Sequence, residues 1–178
     1  MALENLKESS IQLDDVLIYY ITGIQIQYIH VLNILTKEIY CKEVWRTDRM
    51  IDCVLINSQF FICGGYLEET QKIYSKSRGF CFDIENGFGK VNKFSKMPKP
   101  KSWNNLIKVG KLIYCVGGYN QEGVMSDCEK FDVKLDSWSV IPNINFTNCS
   151  TTLINIEDRF IYLFGGYLGE GKIEYIDT

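Results

Sequence analysis

"LIYCVGGYNQ", Leu112 to Gln121, is a run of apolar, β-prone residues that ends in two glycines and a tyrosine. The chain writes it twice more, as "FFICGGYLEE" at Phe60 to Glu69 and as "FIYLFGGYLG" at Phe160 to Gly169. The first glycines are Gly64, Gly117 and Gly165, so the separations are 117 − 64 = 53 and 165 − 117 = 48 residues. A period of about 40–50 residues marks propeller blades rather than helical repeats. Seven residues before each first glycine stands a turn former: Asn57, Gly110 or Asp158. Apolar runs lie on both sides of it, "IDCVLI", "NNLIKV" and "STTLIN" before, "QFFIC", "KLIYCV" and "RFIYLF" after. Each repeat therefore contains a β-hairpin.

The same spacing finds a degenerate fourth copy in "VLIYYITG", Val16 to Gly23, where Thr22-Gly23 stands for the glycine pair and Asp15 for the turn. Downstream of each pair a third strand ends in an apolar residue followed by Asn or Asp: Leu32-Asn33, Phe82-Asp83, Phe131-Asp132 and Ile176-Asp177. A short polar side chain there can accept from the backbone two residues on and start a turn. A fourth strand follows in three copies, "KEIYCKEVW", "GKVNKFSKMP" and "DSWSVIPNI", with Trp138 seven residues after Phe131. The units run over about 9–45, 49–98, 102–142 and 148–178, the last without its fourth strand. Each is expected to be a four-stranded antiparallel sheet that buries its faces only when neighbours stack on it. The pairs Gly64-Gly65, Gly117-Gly118 and Gly165-Gly166 are expected to end the second strand near the axis. A missing Cβ there permits close approach or a positive φ. Tyr66, Tyr119 and Tyr167 then pack against the adjacent blade or cover the hub.

Apolar strand, Gly-Gly, aromatic-Asp, Trp and a Met-Pro or Ile-Pro exit together resemble the kelch repeat, a builder of β-propellers. The resemblance runs from about Val16 to Thr178 and is strongest from Lys101 to Pro142. It implies an all-β fold, a partial kelch-type propeller with four-stranded antiparallel blades. Arg49 and Lys101 match the basic residue that the family places before the first strand; Asn148 departs from it. Propellers have about 4–8 blades, so three and a half units read as an arc of a larger ring. A ring of four closed by "SIQL", Ser10 to Leu13, is the other arrangement. An open arc leaves strand edges and sheet faces that favour self-association.

The composition fits a globular domain: 178 residues, 46% hydrophobic and 23% charged. A net charge of −3 provides no basic footprint for nucleic acid and no polybasic membrane patch. No apolar run approaches the ~18 residues of a membrane-spanning helix. The N-terminal "MALENLKESSIQLDD" does not read as a signal peptide. The seven cysteines form no CxxC pair, and read as reduced, mostly buried thiols of a cytoplasmic protein.

Chemistry-bearing motifs are sparse. His30 is the single histidine and sits between Ile29 and Val31, a strand position. It supplies no two-histidine metal site, and the cysteines lack zinc spacing. Neither a phosphate-cradling Gly-Lys-Ser/Thr loop nor GxSxG occurs. No catalytic residue, metal ligand or cofactor is assigned. What remains is the surface formed by two classes of loop. The loops after the glycine pairs offer Tyr66, Glu68, Glu69, Tyr119, Asn120, Gln121, Glu122 and Tyr167. The inter-unit segments "RTDR" and "KPKSW" offer Arg46, Arg49, Lys101 and Trp103. Such residues make recognition hot spots on a rigid scaffold. The resemblance implies a non-enzymatic protein-interaction module, a scaffold or adaptor whose partner is a protein. The alternative is a sugar- or small-molecule-binding or enzymatic propeller with its site at the channel mouth. The apolar strands "LIYYI", "FFIC", "LIYCV" and "FIYLF", read as lying near the axis, favour the first. Gly64, Gly65, Gly117, Gly118, Gly165, Gly166, Asp83, Asp132 and Trp138 are the structural motif residues.

Overall fold

A computed structural model describes residues 17–22, 27–33, 37, 39–45, 49–56, 59–69, 72–75, 79–83, 91–168 and 171–178. The expected turns at Asp15 and Asn57, the "SIQL" strand, Gly23 and Arg46 lie outside these residues. The described residues are all-β and form four antiparallel sheets.

The first sheet joins β1 (Leu17–Thr22), β2 (Gln27–Asn33) and β3 (Ile39–Trp45). The second orders β4 (Arg49–Ile56), β5 (Gln59–Glu69), β7 (Gly79–Asp83) and β8 (Val91–Phe94), with β6 (Lys72–Ser75) also paired to β5. The third runs β9 (Asn105–Val109), β10 (Leu112–Asn120), β11 (Gly123–Asp132), β12 (Ser137–Ile141). The fourth holds β13 (Thr152–Ile156), β14 (Phe160–Phe164) and β15 (Ile173–Asp177). Across the sheets β9 lies against both β4 and β13. The first strands of successive sheets thus line one side, as innermost strands of a propeller do. The architecture is a partial kelch-type β-propeller.

The third sheet shows why its inner strands are apolar without alternation. On β10, Ile113 and Cys115 join a core with Val54, Ile56, Phe61 and Cys63 of the second sheet. Tyr114 and Val116 face the other way, into a core with Ile161 and Leu163 of the fourth. A strand covered on both faces reads as a continuous hydrophobic run. Phe94, Phe131 and Trp138 extend the first core outward, with ring centroids 4.8 Å and 5.0 Å apart along the row. The Trp138 indole also donates to the Ser95 carbonyl at 2.8 Å, tying the third sheet to the exit of the second. Asp132 accepts from the amides of Lys134 and Leu135 at 2.8 and 3.0 Å, shaping the turn into β12. The fourth sheet has one covered face. Ile154, Ile156, Ile173 and Tyr175 on its other face are exposed.

The glycine pairs take positive φ throughout, from +60° at Gly117 to +123° at Gly118. Their surroundings explain the composition. A Cβ on Gly117 would stand 2.3 Å from the Asn148 carbonyl oxygen, and one on Gly64 would stand 2.7 Å from that of Lys101. Gly64 and Gly117 therefore seat the segment that enters the next blade. The pair does not end its strand in the second and third sheets, where β5 and β10 run on past it. β10 does so through a register shift between Val116 and Gly118. In the second sheet Tyr66 to Glu69 pair with Lys72 to Ser75 as a hairpin, so Glu68 and Glu69 lie on a strand rather than in an open loop.

Gly117→Ala is expected to cost about 2–5 kcal/mol, combining left-handed strain with a backbone clash. Gly110→Ala, whose added Cβ meets nothing within 4 Å, should cost only about 1–2 kcal/mol for its positive φ. Chemical denaturation of both variants compares them; equal losses would refute the seating role.

Candidate functional site

The segment between β8 and β9 divides its side chains between interior and surface. Lys101 was expected in a partner-binding loop. It is 0% exposed. Its ammonium donates to Glu129 Oε2 at 2.6 Å and to the Asp127 carbonyl at 3.1 Å. Glu129 lies on β11 and is itself buried. Burial raises its carboxyl pKa against the opposing pull of Lys101. This pair is a structural clamp inside the third blade, so Lys101 is withdrawn from the binding surface. In the fourth blade Asn148 replaces the clamp. Its amide donates to the Gly165 carbonyl at 2.7 Å, and its Oδ1 accepts from the Cys149 amide at 2.9 Å.

The face itself is aromatic. Trp103 adopts φ +47°, a left-handed conformation that a bulky residue occupies only under constraint. Its ring stacks on Tyr66 at 5.1 Å and meets Tyr119 edge-on at 5.4 Å. Ser150 repeats the left-handed turn in the next blade, at φ +54°, and its amide donates to the Trp103 carbonyl. Trp103, Tyr119, Cys149, Ser150 and Tyr167 line a hollow of about 300 Å³. Tyr167 is 74% exposed, whereas Tyr66 lies buried beneath Trp103. Asn120 is also buried, and its Oδ1 accepts from the Glu122 amide at 2.8 Å in the tight turn that exposes Gln121 and Glu122. Arg49 pairs through its backbone with Tyr66. The structure thus brings Trp103, Tyr119 and Tyr167 together over a buried Tyr66. It removes Tyr66, Lys101 and Asn120 from the surface.

Beside this hollow, and sharing Trp103 and Ser150 with it, a second cavity of about 460 Å³ opens at the hub. Register places Asp52 opposite Cys63, Asn105 opposite Val116 and Thr152 opposite Phe164. Each is one step before its glycine pair, so the three form one polar tier across three blades. All three line the cavity, together with Asn104 and Thr151. Asp52 accepts from the Leu106 amide of the neighbouring blade at 2.6 Å and from the Cys53 amide at 2.8 Å. Burial raises its carboxyl from 3.8 to about 6, against the lowering effect of those two amides. Asn104 Oδ1 and Nδ2, Asn105 Nδ2 and Thr151 Oγ1 are buried without a hydrogen bond.

The sequence reading missed this tier because it took the second strands for the axial ones. The first strands are innermost, and they carry Asp52 and Asn105. The signal was present: 64 − 52 = 12 and 117 − 105 = 12 place a polar residue at one spacing from each pair.

Burial raises the Cys53, Cys128 and Cys149 thiols, and the hydrogen bond with Cys115 together with burial raises Cys63. All seven cysteines are free, and among the described residues no group of three or more His, Cys, Asp or Glu could hold a metal ion. His30 sits on β2 with Cys41 Sγ 3.9 Å from its Nε2. No helix among the described residues is long and apolar enough to cross a membrane.

Comparison with known proteins agrees with this geometry. Residues 108–145 match the kelch motif. The chain carries a kelch repeat. Kelch-like protein 7 of rat is 26% identical over 80 residues, 45% of this chain and 14% of that protein, and the mouse protein matches equally. The matched stretch is thus about one seventh of these relatives' length. The solved structure of YjhT, a kelch propeller, superposes over 96% of this chain and 67% of its own, with a TM-score of 0.67 at 10% identity.

Two measurements probe the site's framework. Lys101→Met should cost about 3–5 kcal/mol by leaving Glu129 buried and unpaired, and adding Glu129→Leu should recover most of the loss. Urea midpoints of the single and double variants decide it. Asp52 binds its proton more tightly in the folded chain, so stability should fall as pH rises from about 4 to about 6. Asp52→Asn should flatten that slope in pH-dependent denaturation.

Proposed function

We propose that this chain is a non-enzymatic kelch-type interaction module, a scaffold or adaptor that presents one face of its blades to a protein partner. The observation that carries this reading is the aromatic lining of an open hollow by Trp103 and Tyr119 of one blade and Tyr167 of the next, with Trp103 seated on the buried Tyr66 of the blade before. Aromatic side chains on a rigid frame supply large contact area at low entropic cost, which is the character of binding hot spots. The kelch motif and the likeness to Kelch-like protein 7 support the same class. Seven free cysteines support a reducing, cytoplasmic setting. Self-association would use the exposed apolar face of the fourth sheet. The second reading, a sugar- or small-molecule-binding propeller, draws on the polar tier at the hub mouth.

A photoreactive benzophenone side chain at position 167 should capture a discrete protein partner in cells. The same group at position 135, in the turn at the far end of β11, should not. Capture from position 135 alone, or equally from both, would refute the assignment of the face.

A further inference from the structure

The two cavities at this face share a wall, and their chemistry differs. The outer one is aromatic: Trp103, Tyr119 and Tyr167 present π faces and edges around about 300 Å³. The inner one is polar and carries Asp52. The charges around them are unbalanced. Lys99 is paired with Asp127, and Lys101 with Glu129. Asp52 and the exposed Glu122, by contrast, have no basic partner among the described residues. The site also holds acceptors and donors that are buried and unused, Asn104 Oδ1 and Thr151 Oγ1 on one side, Asn104 Nδ2 and Asn105 Nδ2 on the other.

We propose that the aromatic hollow over Trp103 receives an arginine or lysine side chain of the partner protein, its stem and cation against Trp103, Tyr119 and Tyr167 and its charge favoured by Asp52 in the adjoining cavity. This rests on the reading of the face as a partner surface and adds the chemistry of the residue that it selects. A cation is attracted to the face of an aromatic ring by the ring quadrupole, most strongly where water is displaced. A cavity that carries the Asp52 carboxylate, beside lysines that are already paired, favours the same charge. A neutral apolar anchor would fill the aromatic hollow but offer the Asp52 carboxylate no countercharge, and a phosphorylated or acidic anchor would be repelled by it. A peptide residue also brings a main-chain carbonyl, which the Asn104 and Asn105 amide groups can meet.

The backbone of Trp103 holds its ring in place. Left-handed φ costs a non-glycine residue about 1–2 kcal/mol, and glycine would relieve it. Packing holds that strain, since the ring covers Tyr66 and meets Tyr119, and the turn fixes the ring at the edge of the hollow.

The test uses the 178-residue chain and blocked tripeptides, with the Trp103 indole N–H signal followed by NMR. Gly-Arg-Gly should shift that signal saturably, and Gly-citrulline-Gly, its neutral isostere, should bind about tenfold more weakly. Raised salt should weaken the arginine peptide and leave the citrulline peptide unchanged. Trp103→Gly should lower the denaturation midpoint by uncovering Tyr66, and Trp103→Phe should lower it less. In Trp103→Gly and Trp103→Phe the peptides are followed at the Tyr119 and Tyr167 amides: Trp103→Gly should lose the arginine response, and Trp103→Phe should keep most of it. Equal binding of arginine, citrulline and Gly-Leu-Gly peptides would overturn the cation assignment while leaving the interaction face standing. So would a partner captured at position 167 whose cross-linked segment lacks a basic residue. No response of the Trp103 signal to Gly-Arg-Gly or Gly-Lys-Gly would overturn the pocket itself.

Discussion

The close approach of Gly64 and Gly117 to the entry segment of the next blade is the constraint from which the rest of this arc follows. At Gly117 the partner is the Asn148 carbonyl oxygen, nearer than any Cβ tolerates. The Gly118 amide donates to that same carbonyl at 2.9 Å. Because the contact is backbone to backbone, it fixes where the following first strand begins. That in turn sets the stacking of β9 between β4 and β13. The apolar layers on either side of β10 are then a consequence: a sheet held at that spacing must fill both interfaces.

The same contact arranges the functional face. The entry segments that the glycines seat are those that carry Trp103 and Ser150 in their left-handed turns. The tyrosines that follow the glycines stand beside them. One rule of packing therefore builds the framework and delivers an aromatic residue from each of three blades to one end of the strands. The buried Lys101–Glu129 clamp and its Asn148 substitute hold these segments from below. A site assembled this way owes its rigidity to the sheets rather than to the loops, which suits recognition by a preformed surface.

Burial decided which residues are available for chemistry. Lys101 and Asn120 sit in loop-like sequence and look presentable, but one neutralises Glu129 in the core and the other shapes its own turn. Asp52 reads as an ordinary polar residue at a strand start, yet it bridges two blades and keeps a carboxyl pKa near 6 through desolvation. Charge type is visible in a sequence. What meets that charge depends on the group that folding brings within reach, the Glu129 carboxylate 28 residues from Lys101 and the Leu106 amide 54 residues from Asp52.

The recurring Gly-Gly-Tyr, its turn formers and its aromatic-Asp closures determined the repeat, the all-β class and the propeller architecture, because hairpin register and glycine conformation are local properties of a few adjacent residues. The hairpin of β5 with β6, the innermost rank of the first strands and the polar tier of Asp52, Asn105 and Thr152 were decided by tertiary structure alone. So was the aromatic hollow. Each depends on which blade lies beside which and at what distance, and that geometry exists only after segments about 50 residues apart have stacked.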